Sequence, residues 1–164
     1  MSQTKITNRR NYYNDKYSTT KEGKKHHVYI AAPFFNPDQI TRVALVETLL
    51  EKHGFTYFSP RKQSAIGPIS SPEVRKKSFE MNIDGIEDAE YLIAVTDGKD
   101  MGTIFEAGHA YASDIPIIYI AFTLGKDGMF NLMLSESGVA ACKTVEELED
   151  AILGKEIYYE GLIE

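Results

Sequence analysis

From His27 onward, short runs of consecutive apolar residues alternate with stretches in which apolar residues recur every three or four positions. A continuous apolar run suits a strand buried on both faces, and the three-and-four spacing suits a helix with one buried face. The alternation predicts an α/β domain over residues 27–164: a single, doubly wound, flavodoxin- or Rossmann-like parallel sheet of about five strands flanked by helices.

Val28-Tyr29-Ile30-Ala31-Ala32 is the first expected strand. Asn36 then offers a helix cap, Pro37 a first-turn residue and Gln39 the partner of a capping box, and Ile40, Val43, Val46 and Leu50 form a buried stripe before Gly54 stops the helix. Phe55 to Phe58 reads as the second strand, and Ser59 to Ser70, interrupted by Pro60, Gly67 and Pro68, as an irregular loop. Ser71-Pro72-Glu73 opens a second helix running to about Ile86, ahead of a strand over Tyr91 to Thr96. A third helix starts at Gly102 or Thr103 and ends near Ser113, before a strand over Ile117 to Phe122. Asn131 to Glu136 reads as a short helix, Val139 to Ala141 as a final strand, and Thr144 as the cap of a last helix.

Charge separates the beginning of the chain from the rest. Residues 1–26 carry seven Lys or Arg and two Asp or Glu, a net of +5 against −6 for the 164-residue whole. Polar and without apolar periodicity, they read as a flexible basic arm. Tyr12, Tyr13 and Tyr17 among the cations would suit an anionic surface, but a solvated tail is the simpler reading, and no nucleic-acid partner is expected. Cys142 is the only cysteine, which excludes an internal disulfide, and no apolar run reaches the roughly 18 residues that span a bilayer. A cytoplasmic protein with no membrane contact is the expectation.

In an open parallel sheet, ligands collect at the carboxyl ends of the strands. There the chain has Ala-Pro-Phe-Phe-Asn after the first strand, Ser-Pro-Arg-Lys-Gln after the second, and Asp-Gly-Lys-Asp-Met-Gly-Thr leading into Ile-Phe-Glu-Ala-Gly-His after the third. Asp100 just before a helix and Glu106 within its first turns are two carboxylates on one scaffold, the parts needed to cleave a glycosidic bond with one proton donor and one nucleophile. From these two residues alone, an acidic surface turn followed by an exposed helix glutamate is the simpler reading. Neither GxGxxG nor GxxxxGK[ST] occurs, which argues against a Rossmann dehydrogenase or a P-loop nucleotide triphosphatase.

Val28 to Asn36, Phe58-Ser59-Pro60-Arg61, Asp100-Met101-Gly102-Thr103 with Phe105-Glu106-Ala107-Gly108, and Asn131-Leu132-Met133 occur in an order and spacing that resembles the nucleoside 2-deoxyribosyltransferases, over residues 28 to about 153. The resemblance implies transfer of a 2-deoxyribosyl group between nucleobases by double displacement, with deoxynucleoside and free nucleobase as substrates and with no cofactor or metal. Glu106 matches the nucleophile that forms a covalent glycosyl-enzyme, so that two inversions give net retention. Asp100 matches the acid that protonates the departing base, and Tyr29 the tyrosine that holds the nucleophilic carboxylate. Phe35 would lie against the base and Gln63 would present its amide to the base edge. Asn131 and Met133 match residues that reach the deoxyribose from a neighbouring subunit, which implies a homo-oligomer built from dimers, expected to be a hexamer.

One position departs from the family pattern. Where an aspartate is usual near the end of the second helix, the chain has Asn82 in Met81-Asn82-Ile83-Asp84-Gly85-Ile86. Asp84 sits about 200° round the helix from Asn82, so Asn82 is the expected pocket residue, without a carboxylate's charge. His109, one turn beyond Glu106, reads as structural. Two further readings stay open: a related N-glycosidase that passes the sugar to water, with Arg61 and Lys62 available to a 5'-monophosphate, and a nucleoside-binding protein that has lost turnover.

Overall fold

In the computed structural model, which describes residue 20 and residues 23–164, five parallel strands form one sheet in the order β2-β1-β3-β4-β6. The strands are β1 (His26–Ala31), β2 (Tyr57–Phe58), β3 (Ala89–Val95), β4 (Ile117–Ile120) and β6 (Ala140–Cys142). Most of the basic arm expected over residues 1–26 lies outside the described residues. Strand β3 is the centre of the sheet, between β1 and β4, and every one of its residues is buried. Such strands need apolar side chains on both faces, which is why they read as runs without alternation.

The two faces have different partners. Val28 and Ile30 of β1 pack with Val43, Val46 and Leu50 of α1 (Pro37–Lys52) and with Leu148, Ala151 and Ile152 of α6 (Val145–Ile152). Tyr29 and Ala31 point the other way, toward Ile86 of α3 (Pro72–Glu87) and Ala107 and Ala110 of α4 (Met101–Ala112). Because β1 is followed by a strand on one side and its chain later crosses to β3 on the other, the strand order reverses beside β1. Its carboxyl end is therefore the crevice where a doubly wound sheet binds ligands.

Local chemistry sets the helix starts. Asn36 caps α1 by accepting from Gln39 N at 2.9 Å, and Gln39 returns the contact by accepting from Phe35 N at 2.7 Å. Ser71, Asp100 and Thr144 cap α3, α4 and α6 in the same way, and Asn131 caps α5 (Leu132–Ser137). Each such cap is worth about 1 kcal/mol.

Three features differ from the sequence-based expectation. The loop from Ser59 contains a helical turn, α2 (Pro60–Gln63), made possible by Pro60 at its first position and by Gln63 accepting from Ser59 N at 2.8 Å. The second strand shortens to two residues at the sheet edge. A two-stranded parallel ribbon, β5 (Met129–Phe130) with β7 (Leu162–Ile163), is an addition to the expected elements, because each half is too short to announce itself and pairs only across some thirty residues. Cys142 is fully buried in β6, where burial pushes its thiol up to about 12. No helix among the described residues is long and apolar enough to cross a membrane.

Candidate active site

Two short segments bring the carboxylates to the carboxyl end of the sheet. After β3, Gly98 and Lys99 both take left-handed backbone conformations, with φ of 79° and 53°. They turn the chain directly into the cap of α4; for Lys99 that geometry costs about 1 kcal/mol. Asp97, buried at the end of β3, holds this turn against the loop after β4: it accepts from Phe122 N at 3.0 Å and from Thr123 N and Oγ1 at 2.6 Å each. Asp100 then caps α4, its Oδ2 accepting from Thr103 N at 2.8 Å and Thr103 Oγ1 at 2.9 Å. Its Oδ1 is left over, with no hydrogen-bond partner among the described residues.

Glu106 lies on the inner side of α4, half-buried, with Oε2 sealed from solvent and without a hydrogen-bond partner. Burial pushes its carboxyl up, the Tyr29 hydroxyl pulls it part of the way down, and the Asp100 charge adds a further upward push, to about 7. Tyr29 is wholly buried, and burial followed by the Glu106 charge drives its phenol far above the usual range. Its hydroxyl also lacks a formed hydrogen bond. The two groups thus shift one another's titration without closing onto each other.

Tyr29 is fixed by stacking on Phe58, with ring centroids 5.4 Å apart and planes 11° from parallel. Phe58 in turn lies over Gly85 of α3, where a Cβ would come within 3.0 Å of the ring. Only glycine lets the helix approach this closely, so Gly85 sets the depth at which Tyr29 sits beneath Glu106.

The other expected site residues fall into three groups. Gln63 and Asn82 are both tied to the segment that follows β2: Gln63 braces Ser59 N, and Asn82 Oδ1 accepts from Ser64 Oγ. Asp84 is exposed on the other side of α3, as the helical geometry requires. Phe35 is 75% exposed at the end of β1, tilted against Phe34 at 5.1 Å. Asn131 spends its Oδ1 on the backbone of α5, accepting from Met133 N at 3.0 Å and Leu134 N at 3.3 Å, while Met133 is 74% exposed. Of the apolar cluster around it, Phe130 is buried against Tyr119 and Tyr159, whereas Leu132 and Met133 face outward. His109 pairs with Glu87 at 3.1 Å and not with Glu106.

Arg61 and Lys62, expected to be available to a phosphate, are instead engaged by Glu47 of α1. Glu47 is 3% exposed; it accepts from Ser59 Oγ at 2.7 Å, from Arg61 Nε at 2.9 Å and from Arg61 Nη2, and lies 3.3 Å from Lys62 Nζ. Reading the sequence alone passes over this residue and Asp97. Both leave a signal: Glu47 is a charge inside the stripe Val43, Val46, Leu50, and Asp97 closely follows a buried strand. Phe105, beside Glu106, leans on Phe79 with centroids 6.1 Å apart, and both rings remain more than half exposed.

A cavity of about 330 Å³ opens on the far side of the Asp100 turn, between the β3 and β4 loops; Asp97, Lys99, Asn131 and Glu164 are among its lining residues, and neither Glu106 nor Tyr29 is. Among the described residues, no three His, Cys, Asp or Glu side chains converge as a metal site.

The fold recurs in solved structures. A 2-deoxyribosyltransferase of the psychrotolerant bacterium Bacillus psychrosaccharolyticus superposes with a TM-score of 0.71 at 29% identity, over 81% of this chain and 99% of that one. A conserved protein of Enterococcus faecalis V583 (TM-score 0.61, 20% identity, 77% and 96% covered) and a 2-desoxiribosyltransferase of Leishmania mexicana (TM-score 0.56, 24% identity, 78% and 97% covered) share the fold. No curated protein sequence matches the chain significantly. The model of the nucleoside 2-deoxyribosyltransferase family matches residues 28–138, which take in most of β1, the Asp100 turn, Glu106 and Asn131. With well over half of its length so matched, the chain belongs to the nucleoside 2-deoxyribosyltransferase family.

Proposed function

We propose that this protein transfers a 2-deoxyribosyl group from one nucleobase to another through a covalent intermediate on Glu106. The observation that carries the reading is Glu106 itself, a carboxylate lifted to about 7 with an oxygen sealed from water and bound to nothing. Leaving such an oxygen unsatisfied costs free energy, which a site recovers only if the oxygen has something to react with or bind.

In the first step the ionised Glu106 attacks the anomeric carbon, the bond to the base nitrogen breaks, and the electron pair leaves with the base as Asp100, carrying the proton of the carboxyl pair, delivers it to the base. In the second, a nitrogen of the incoming base attacks the same carbon from the vacated side, the ester to Glu106 breaks, and Asp100 takes up the proton that the base loses. Two inversions leave the anomeric configuration unchanged. Tyr29 supplies a hydroxyl that steadies Glu106 as its charge reappears, Phe35 offers a face to the base, and Gln63 and Asn82 offer amides to its edge.

Asn131 and Met133 act across an interface in this proposal. Leu132 and Met133 are exposed apolar side chains on a segment clamped by its own cap, a rigid projection that suits insertion into a neighbouring subunit of a dimer-based oligomer, with a hexamer as the expected assembly. Mixing inactive Glu106→Ala with inactive Asn131→Ala subunits then restores part of the activity. No recovery despite demonstrated subunit exchange counts against a shared site.

The decisive experiment incubates the protein with a deoxynucleoside and a second free base. Exchanged nucleoside supports transfer, free deoxyribose supports hydrolysis, and an unchanged mixture rejects both. The hydrolytic reading directed at 5'-monophosphates is the less favoured one, since Arg61 is paired with Glu47 and Lys62 lies 3.3 Å from the same carboxylate.

A further inference from the structure

Which hydrogen-bonding groups the rim can offer a base is decided by what Gln63 and Asn82 have already spent. Gln63 Oε1 accepts from Ser59 N at 2.8 Å, and Ser59 is fixed through its hydroxyl, which donates to the buried Glu47 at 2.7 Å. Turning the Gln63 amide over would set its NH2 against the Ser59 N–H, two donors face to face, so the orientation is enforced. Asn82 Oδ1 accepts from Ser64 Oγ. Ser64 is held in turn at its backbone, donating through N–H to Pro60 O at 2.9 Å and accepting from Ser78 Oγ at 2.5 Å. Its hydroxyl also lies 3.4 Å from Pro60 O, but the Asn82 contact is the closer and takes the single proton. Both amide oxygens are therefore committed within the protein, and among the described residues neither amide nitrogen has a partner. Residues 63 and 64 are adjacent and Asn82 is bonded to Ser64, so both amides are tied to the one short segment that runs from Ser59 to Ser64.

Resting on the base-exchange reading above, we propose that this rim donates hydrogen bonds only, and that the site therefore selects oxo-bearing nucleobases over their amino counterparts. Guanine and hypoxanthine show adjacent acceptors at N7 and O6, and thymine shows O4; adenine replaces the second acceptor by an amino donor, as cytosine does at its N4. An amino group brought against this rim leaves donors opposed and desolvated, and a site built to hydrogen-bond one pattern rejects the other strongly. An aspartate at position 82 would add an acceptor, so Asn82 is the residue that makes the rim one-sided.

Binding measured without turnover tests the idea. Calorimetric titration of the Glu106→Ala protein with 2'-deoxyinosine and 2'-deoxyadenosine, ligands that differ at the 6-position, should show deoxyinosine binding about tenfold or more tightly. Adding Asn82→Asp, and separately Gln63→Glu, should shrink or invert that ratio. Equal affinities, tighter deoxyadenosine, or no binding of either overturns the donor-only rim. Should either rim variant fail to fold, equimolar hypoxanthine and adenine competing in exchange by the unaltered protein decide the same question: preferential incorporation of hypoxanthine supports the rim, and equal or greater incorporation of adenine overturns it. A binding preference that persists while the unaltered protein exchanges no base rejects the transfer reading and leaves the rim intact, so the two failures are told apart.

Discussion

Glu47 and Glu106 sit on helices packed against opposite faces of one sheet, both largely out of water, and their surroundings treat them in opposite ways. Burial pulls the Glu47 carboxyl up, but hydrogen bonds from Arg61 and Ser59 outweigh it and hold it below the ordinary range. Glu106 meets burial with only a phenol nearby and a second carboxylate beyond it, and stays raised to about 7. A buried charge that is fully paired ties a loop to a helix, whereas a buried charge left unpaired is a strained group kept for use. The same residue type is thus an anchor in one place and a candidate reactive centre in the other.

The comparison breaks most sharply at Glu106. Glu106→Ala should lower exchange by at least about 10³-fold with the fold retained, since the side chain borders a crevice and its loss removes a nucleophile. The wild type treated with a slow 2-fluoro-substituted deoxynucleoside should gain the mass of the sugar on the peptide containing residue 106. Label elsewhere, or substantial transfer by Glu106→Ala, removes Glu106 from the role. Glu47→Gln should cost about 2–3 kcal/mol of stability by stranding Arg61, read as a lower urea midpoint. Because the Glu47 carboxyl is lowered in the fold, its contribution is present above about pH 4.5 and fades as acid titrates the folded form, so the gap between variant and wild type should close there. A neutral Glu47→Gln would mean that the pair is ornamental.

The identical change at Glu106 should carry the opposite sign. Its carboxyl is higher in the fold than in the unfolded chain, so the stabilising protonated form prevails at low pH and stability is lost as pH rises through about 7. Glu106→Gln should therefore raise the melting temperature at pH 8, by an amount equivalent to about 1–3 kcal/mol, with no gain below about pH 4.5. Equal melting at both pH values would show that Glu106 carries no buried-charge penalty. The smallest effect belongs to Tyr29→Phe. Exchange should fall roughly tenfold, and because the hydroxyl pulls the Glu106 carboxyl down, the acid limb of kcat/KM should move to higher pH than in the wild type. An unmoved limb would separate Tyr29 from Glu106.

The candidate site divides along a similar line. Asp100 and Glu106 are visible in the sequence because a turn and the helix after it are read over a few consecutive residues; the caps fall where Asn36 and Thr144 suggest, whereas α4 begins at Met101, ahead of the expected Gly102 or Thr103, and takes Asp100 as its cap. Helical angle places Asp84 on a different face of α3 from Asn82, and the exposed Asp84 agrees. Arg61 and Lys62 look free in the sequence because nothing near them in the chain is their partner; Glu47 lies more than a helix turn away, on a different element. The pairing of β5 with β7 is hidden for the same reason, two residues on each side being too few to carry a pattern.

The sequence by itself determined what depends on neighbours within about four residues: where helices begin, which runs are buried on both faces, and hence a parallel α/β sheet with its chemistry at the carboxyl ends. Only the tertiary structure decided which polar groups are spent. Whether a carboxylate, an amide oxygen or a cation is satisfied depends on groups brought together from distant parts of the chain, such as Ser59 with Glu47, Asp97 with Thr123 and Ser64 with Asn82. Burial then multiplies the consequence, because in a low-dielectric interior one missing partner is enough to move Glu106 from an ordinary acid to a group that titrates near neutrality.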